Sequence, residues 1–324
     1  MTLVLSYANP EFTLQVSDRL VTQGTMRRDP TANKSIVLVT RNALVSLGYS
    51  GLAVVDKGGG KERVTDQWLV EQLVGHEVDP SISIGGPRYN FDLGYALKAL
   101  CDALDSSRFF RGKHQIEIAF CGFQWKLRKL ALHLSGTIQH TGSRYVAKQD
   151  VHRTSEGLRL ELSMAPDTGL IDGKQLLDEL YELGPDTDAA EALLVDTMTS
   201  GARESRVVGA DCLSVLIKDA RVRVRYHGTR PPVGPAGTPG TPTPWIVSPL
   251  GIHAPTVTVS GGVRIGGLHV EVDAPPLDHE SFVLKRSINP ATGRVRTTAI
   301  IGATQMLRRP WGPHVDVPPP PLDD

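Results

Sequence analysis

An α+β chain folded as a four-layer αββα sandwich is what this sequence predicts, and three observations predict it. Strand-like segments come in blocks and helix-like segments in pairs: four strands, two helices, several strands, two helices, two strands. A doubly wound parallel sheet needs one helix between successive strands, so this order excludes it and suits two stacked sheets with helices on each outer face. The length, 324 residues, is enough for one large domain with a proper core, or for one domain and a smaller one.

The first block opens with residues 2–8 (TLVLSYA), which end at the turn signal Asn9-Pro10. Residues 12–18 (FTLQVSD) alternate, with Phe12, Leu14 and Val16 on one face and Thr13, Gln15 and Ser17 on the other. A polar loop carrying Gly24, Arg27, Arg28, Asp29 and Pro30 follows, then strands at 35–40 and 43–49 about the turn Arg41-Asn42. After the Gly/Lys loop KGGGKER comes a helix that Thr65 or Asp66 can cap, with Trp68, Leu69, Leu73 and Val74 as its apolar face. A second helix spans about residues 91–106, with Leu93, Ala96, Leu97, Leu100 and Leu104 at helical spacing. Strands are expected near 114–121, 127–134 and 157–164, helices near 173–183 and 186–203, and a closing hairpin at 211–218 and 220–226.

Pro, Gly and Thr dominate residues 228–248, which read as a stiff, extended linker after a domain of residues 1–227. Residues 249–317 resume strand-like segments, at 256–260, 268–272 and 296–301, and form a small β-rich extension. The run PPPPLDD, residues 318–324, reads as a disordered or polyproline tail.

Composition removes several function classes. With 35 basic and 35 acidic residues, nothing argues for nucleic acid, an anionic membrane or a polyanionic substrate. No apolar run approaches the ~18–20 residues of a membrane span, and the opening apolar run has neither the basic flank nor the cleavage site of a secretory leader. The three cysteines, Cys101, Cys121 and Cys212, lack metal-binding spacing and read as reduced, buried small hydrophobes. A cytoplasmic protein with no metal or cofactor is expected.

The chemistry begins at the second residue. Met1 is removed when a small residue follows it, and Thr2 would then carry a free α-amine beside its hydroxyl. Such a residue holds its own nucleophile and its own base, the α-amine having a pKa of about 7.7–8.0. It needs a cation to favour the reactive oxygen, a carboxylate to orient that cation, and a backbone N–H to receive the oxyanion. Asp18 ends the second strand, Lys34 opens the third, and Gly48 lies in the fourth, where a missing Cβ lets a carbonyl approach the backbone.

At these positions the chain resembles the proteasome β-subunit branch of the N-terminal nucleophile (Ntn) hydrolases. That family places its Asp sixteen residues after the nucleophilic Thr, its Lys sixteen further on and its oxyanion Gly fourteen beyond that. Thr2, Asp18, Lys34 and Gly48 keep all three spacings. The resemblance covers residues 2 to about 226, its motif is confined to the first fifty or so, and the start directly after Met is similar to bacterial members without a propeptide. It implies the Ntn-hydrolase fold, Thr2 as nucleophile, Lys34 as the tuning cation, Asp18 as its partner and Gly48 as oxyanion donor. Thr22 and Ser50 match positions whose backbone holds an extended substrate, a peptide or an acyl-amide. A homo-oligomer and an ATP-dependent unfoldase are the partners the family implies.

The chain also departs from that pattern. Arg19 follows Asp18 directly, without the family's intervening small residue, and the C-terminal extension is not usual there. Asp211 and Ser214 have the spacing of a supporting pair downstream, but their stretch can be aligned in another way, and no role is carried to them. A small-molecule amidase or acylase of the same fold and a non-catalytic assembly subunit are the alternative readings. GGGK at 58–61 lacks the frame of a phosphate-binding loop, no H-E-x-x-H occurs, and RVRVRY at 221–226 reads as the solvated face of a strand.

Overall fold

The computed structural model describes residues 3–23, 26–29, 32–56, 62–78, 92–110, 112–126, 130–152, 161–165, 171–205, 208–228, 241–249, 251–255, 257–258, 263–265, 268–273, 282–288 and 295–301. Two seven-stranded sheets and four α-helices dominate them, a mixed α+β arrangement.

Their strands are, in chain order, β1 (Val4–Ala8), β2 (Phe12–Asp18), β3 (Ser35–Val39), β4 (Ala43–Ser50), β5 (Glu117–Lys126), β6 (Leu130–His140), β7 (Tyr145–His152), β8 (Glu161–Ala165), β9 (Cys212–Lys218), β10 (Arg221–His227), β11 (Trp245–Ser248), β12 (Gly251–His253), β13 (Val263–Ile265) and β14 (Leu268–Asp273). Sheet one runs β8-β1-β2-β9-β10-β14-β13 and sheet two β7-β6-β5-β4-β3-β11-β12. Neighbours are antiparallel except at β10–β14 and β3–β11, which are parallel. The β9–β10 hairpin closes through Asp219 and Ala220, both at positive φ, as a two-residue turn with the twist of its strands requires.

The helices are α1 (Thr65–Val74), α2 (Leu93–Ser106), α3 (Gly173–Leu183) and α4 (Thr187–Glu204). Asp92, Asp172 and Asp186 cap the last three, each accepting hydrogen bonds from N–H groups of the first turn. α1 corrects the expected cap: Val64 holds that place without a side-chain bond. Thr65 instead donates to Leu52 O at 2.5 Å, and Asp66 is buried against other elements.

Three apolar clusters set the layers. α1 and α2 bury Leu69, Leu97, Leu100 and Leu104 with Leu38, Val45, Phe120 and Trp245 of sheet two. α3 and α4 bury Leu176, Leu180, Leu194 and Met198 with Leu5, Leu14 and Val16 of sheet one. Val37, Leu44, Val215, Val224, Ile246 and Val270 pack between the sheets. Fully burying a side chain of this size contributes about 1.5–3 kcal/mol each.

The space between the sheets also holds polar groups, several of them hydrogen-bonded to one another or to the backbone. Gln15 donates to Ser6 Oγ (2.8 Å), Ala119 O (3.1 Å) and Ser46 O (3.3 Å), and accepts from Ser46 Oγ (2.7 Å). Ser17 and Ser35 pair at 2.8 Å. The residues read as the polar face of β2 therefore point at a second sheet, and all of Thr13, Gln15 and Ser17 are buried.

Three further expectations change. Residues 145–152 form an unforeseen strand, β7, at the edge of sheet two. The linker expected to reach residue 248 ends earlier, because Trp245–Ser248 is a buried strand inside sheet two. The segments after it are not separate from the core either: β12 and β11 extend sheet two, while β14 and β13 extend sheet one. Phe282–Ile288 and Val295–Ile301 pair only with each other among the described strands. The GGGK loop at 58–61, linker residues 229–240 and the tail at 318–324 lie outside the described residues, and the strand expected at 256–260 is described only at Val257–Thr258.

Candidate functional site

β2 and β3 bring two of the expected residues together. Asp18, the last residue of β2, and Lys34, just before β3, have fully buried side chains. Lys34 Nζ donates to Asp18 Oδ1 at 2.5 Å and also to Leu20 O. Asp18 Oδ1 further accepts from Leu20 N (3.0 Å), and Oδ2 accepts from Leu3 N (2.9 Å). Burial pushes the Asp18 carboxyl above the usual carboxylate range. The Lys34 charge and hydrogen bond and the N–H groups of Leu3 and Leu20 pull against that push. The pair is a buried one whose members depend on each other, because either alone would be a charge without compensation.

The expected nucleophile, Thr2, lies outside the described residues; Leu3, which follows it in the chain, carries the N–H bound by Asp18. Gly48 is the cross-strand partner of both Ser35 and Ala119, and the next residue, Tyr49, donates its N–H to Lys34 O at 3.2 Å. Gly48 also lies where the sheets approach closely: a Cβ there would meet Val4 Cγ1 at 2.6 Å. Packing therefore accounts for a glycine at this position. Ser50 ends β4, buried and opposite Glu117. Thr22 pairs with Arg27 in a short hairpin, Val21–Gln23 with Met26–Asp29, whose register shifts between Val21 and Thr22.

Arg19, the residue that departs from the expected pattern, is buried. Its N–H donates to Asp211 O (3.0 Å), its Nε to Ala32 O (3.3 Å), and its guanidinium lies 5.4 Å from the Tyr226 ring centre. It ties the segment after Asp18 to the segment before Lys34 and to β10.

Ser214 belongs elsewhere. It donates to Glu191 Oε1 of α4 and lies 3.0 Å from His227 Nε2. Glu191 Oε1 approaches that same nitrogen at 3.3 Å. A hydrolytic triad uses the two imidazole nitrogens for different partners. Here one nitrogen takes both, and Ser214 is fully buried, so the group ties α4 to sheet one. Arg223 and Arg225 complete it, each bonding both Asp188 and Glu191 at 2.7–3.0 Å. Of the RVRVRY arginines expected on a solvated face, Arg221 is exposed, while Arg223 and Arg225 are half-buried by these bonds. Against the upward push of burial, bonds from His227 and Ser214 and the charges of His227 and Arg225 pull Glu191 down to about 2.

Sequence reasoning also missed a group behind Lys34. Asn33 Nδ2 donates to Ser35 O (3.0 Å) and to Asp66 Oδ2 (3.1 Å), and Trp245 Nε1 donates to that same Asp66 oxygen at 2.9 Å. Burial pushes Asp66 up to about 6, although Asn33, the Gln67 N–H and Trp245 favour its charged form. The one sequence signal for Trp245 is an aromatic residue before Ile-Val at the end of a Pro-rich run.

Among the described residues no group of three His, Cys, Asp or Glu side chains could hold a metal ion, and no helix is long and apolar enough to cross a membrane. No family model matches the chain, and no curated protein matches it.

Proposed function

We propose that this protein is an N-terminal threonine hydrolase of the Ntn type that cleaves amide bonds, with peptides as its substrate class. One observation carries the reading: Asp18 joins the N–H of Leu3, the residue after Thr2, to the buried ammonium of Lys34. A carboxylate and a cation held between the start of the chain and the start of β3 are what an N-terminal nucleophile requires. The order of layers, with α1 and α2 over one sheet, α3 and α4 over the other and the two sheets in contact, also supports an αββα sandwich of that type.

In this reading the Thr2 hydroxyl attacks the substrate carbonyl and its proton passes to the Thr2 α-amine. The Gly48 N–H receives the oxyanion, the C–N bond breaks as the protonated amine leaves, and water resolves the acyl-enzyme. Lys34 supplies positive charge next to the nucleophile, and Asp18 fixes its direction. A peptide lies as an added strand between the segments of Thr22 and Ser50, with main-chain hydrogen bonds giving affinity. Further copies of the chain and an ATP-dependent unfoldase are partners of this proposal, and the compartment it assumes is the cytoplasm.

Turnover of fluorogenic peptide amides and acyl-amides by the full chain tests it. Thr2→Ser keeps hydroxyl and amine and should retain activity; Thr2→Ala still permits Met removal and should abolish it. Full activity in Thr2→Ala would place the chemistry elsewhere.

A further inference from the structure

We infer that Trp245 is a positioning residue for Lys34, so that the segment following the Pro-rich run is a working part of the site. The inference rests on the hydrolase reading for its functional meaning, but its structural basis is independent. Trp245 stands 179 residues from Asp66 in sequence, yet its indole N–H bonds the Asp66 carboxylate at 2.9 Å. The same oxygen takes the side-chain amide of Asn33 at 3.1 Å.

Asn33 in turn brackets Lys34. Its amide donates to Ser35 O at 3.0 Å, and its own carbonyl accepts from Ser35 N at 3.4 Å. Lys34 is therefore the residue spanned by a side-chain loop whose far end is anchored on Asp66. That anchor is fixed on both sides: Asp66 sits in the first turn of α1, and Trp245 opens β11, which lies parallel to β3 with Trp245 opposite Ile36.

Packing alone does not call for this arrangement. Trp245 is 2% exposed within the core under α1 and α2, and a phenyl ring would bury most of the same surface. What only indole supplies is the N–H. Without it, Asp66 keeps one of its two side-chain donors, and Asn33 loses the partner that shares its anchor. Lys34 Nζ must meet Asp18 Oδ1 and Leu20 O together, and small displacements of such a group carry large kinetic costs.

The test uses the full chain with Trp245→Phe and, as a control, Trp68→Phe, a second buried tryptophan of α1 that packs on Phe110. Lysines are labelled with 13C at Cε. The Lys34 signal is the one lost in Lys34→Arg or, if that variant does not fold, the one with through-space contacts to Leu20. In Trp245→Phe the Lys34 signal should move and kcat should fall roughly 10- to 100-fold at unchanged KM, while Trp68→Phe leaves both as they were. Asp66→Asn retains an acceptor for both donors and should keep kcat near that of wild type, whereas Asp66→Leu should behave as Trp245→Phe does. An unmoved Lys34 signal in folded Trp245→Phe overturns the inference. So does a moved signal with wild-type kcat, which would reduce Trp245 to packing. If the wild-type chain turns over no amide, the hydrolase reading fails, and the Lys34 signal still decides whether Trp245 positions it.

Discussion

Gln15 of β2 and Gly48 of β4 meet across the two sheets with no room for another atom. A Cβ at Gly48 would lie 3.0 Å from Gln15 Oε1 and 2.6 Å from Val4 Cγ1. Gln15 also bonds Ser46 O, two residues before Gly48 in β4, and Ala119 O, opposite Gly48 on β5, so one side chain helps set how sheet one, with Asp18, faces sheet two, with Gly48.

Gly48→Ala should therefore destabilise the fold by about 1–3 kcal/mol, the usual cost of overpacking a core. Urea unfolding measures it. Val4→Ala removes the nearest clashing methyl, so the double variant should recover part of the loss. A single variant as stable as wild type would mean that the sheets separate freely at this point.

Asp66 should make the protein less stable as pH rises. Its folded-state pKa, about 6, exceeds the ordinary value of 3.8, because burial favours the neutral form. Its contribution is full below the unfolded pKa and is lost as pH rises through about 6. Asp66→Asn, which does not ionise, should exceed wild type at pH 8 by on the order of 2–3 kcal/mol and lose that advantage near pH 4. Melting curves across that range check it, and a difference independent of pH would refute the assignment.

Glu191 has the opposite sign. Held down to about 2, it contributes stability above its unfolded value of 4.5, and that contribution is lost as pH falls through about 2. Glu191→Gln should cost on the order of 2–3 kcal/mol at neutral pH, where Arg223 and Arg225 lose a buried partner, and close to nothing from this source at pH 2. Thermal melts of both proteins from pH 7 to pH 2 should converge.

A chain ending at His227 should fail to fold cooperatively. It would lack Trp245, Ile246 and Val247 of β11 and Val270 and Val272 of β14, all buried in the two sheets. It would also expose the edges of β3 and β10, an invitation to aggregation. A soluble fragment with a single sharp melt would show that the added strands are dispensable.

What the sequence made legible follows from how strongly each segment is patterned. α2, α3 and α4 lie within a residue or two of their expected ends, and an aspartate caps each of them in the structure. The meeting of Asp18 with Lys34 was legible through spacing and the family resemblance. β7 was missed because its residues, YVAKQDVH, make a largely polar edge strand with little apolar signal. The cap of α1 was misread because a Thr and an Asp beside a helix start carry no mark of burial. That Gln15 bridges to the second sheet was not legible, because period-two alternation separates two faces but does not say what packs on the polar one. Trp245 and β14 were read into a linker and an extension because their pairing with β3 and β10 joins residues 209 and 48 positions apart, distances at which local composition says nothing.

Residue 2 is where the proposed chemistry is tested most directly. The direct measurement is the intact mass of the purified full chain, before and after treatment with a peptide-like β-lactone, followed by mapping of the modified residue. The expected chain lacks Met1 and gains one acyl group, carried on the Thr2 hydroxyl and absent from Thr2→Ala. A chain that retains Met1, or an acyl group that persists in Thr2→Ala, would contradict the N-terminal nucleophile.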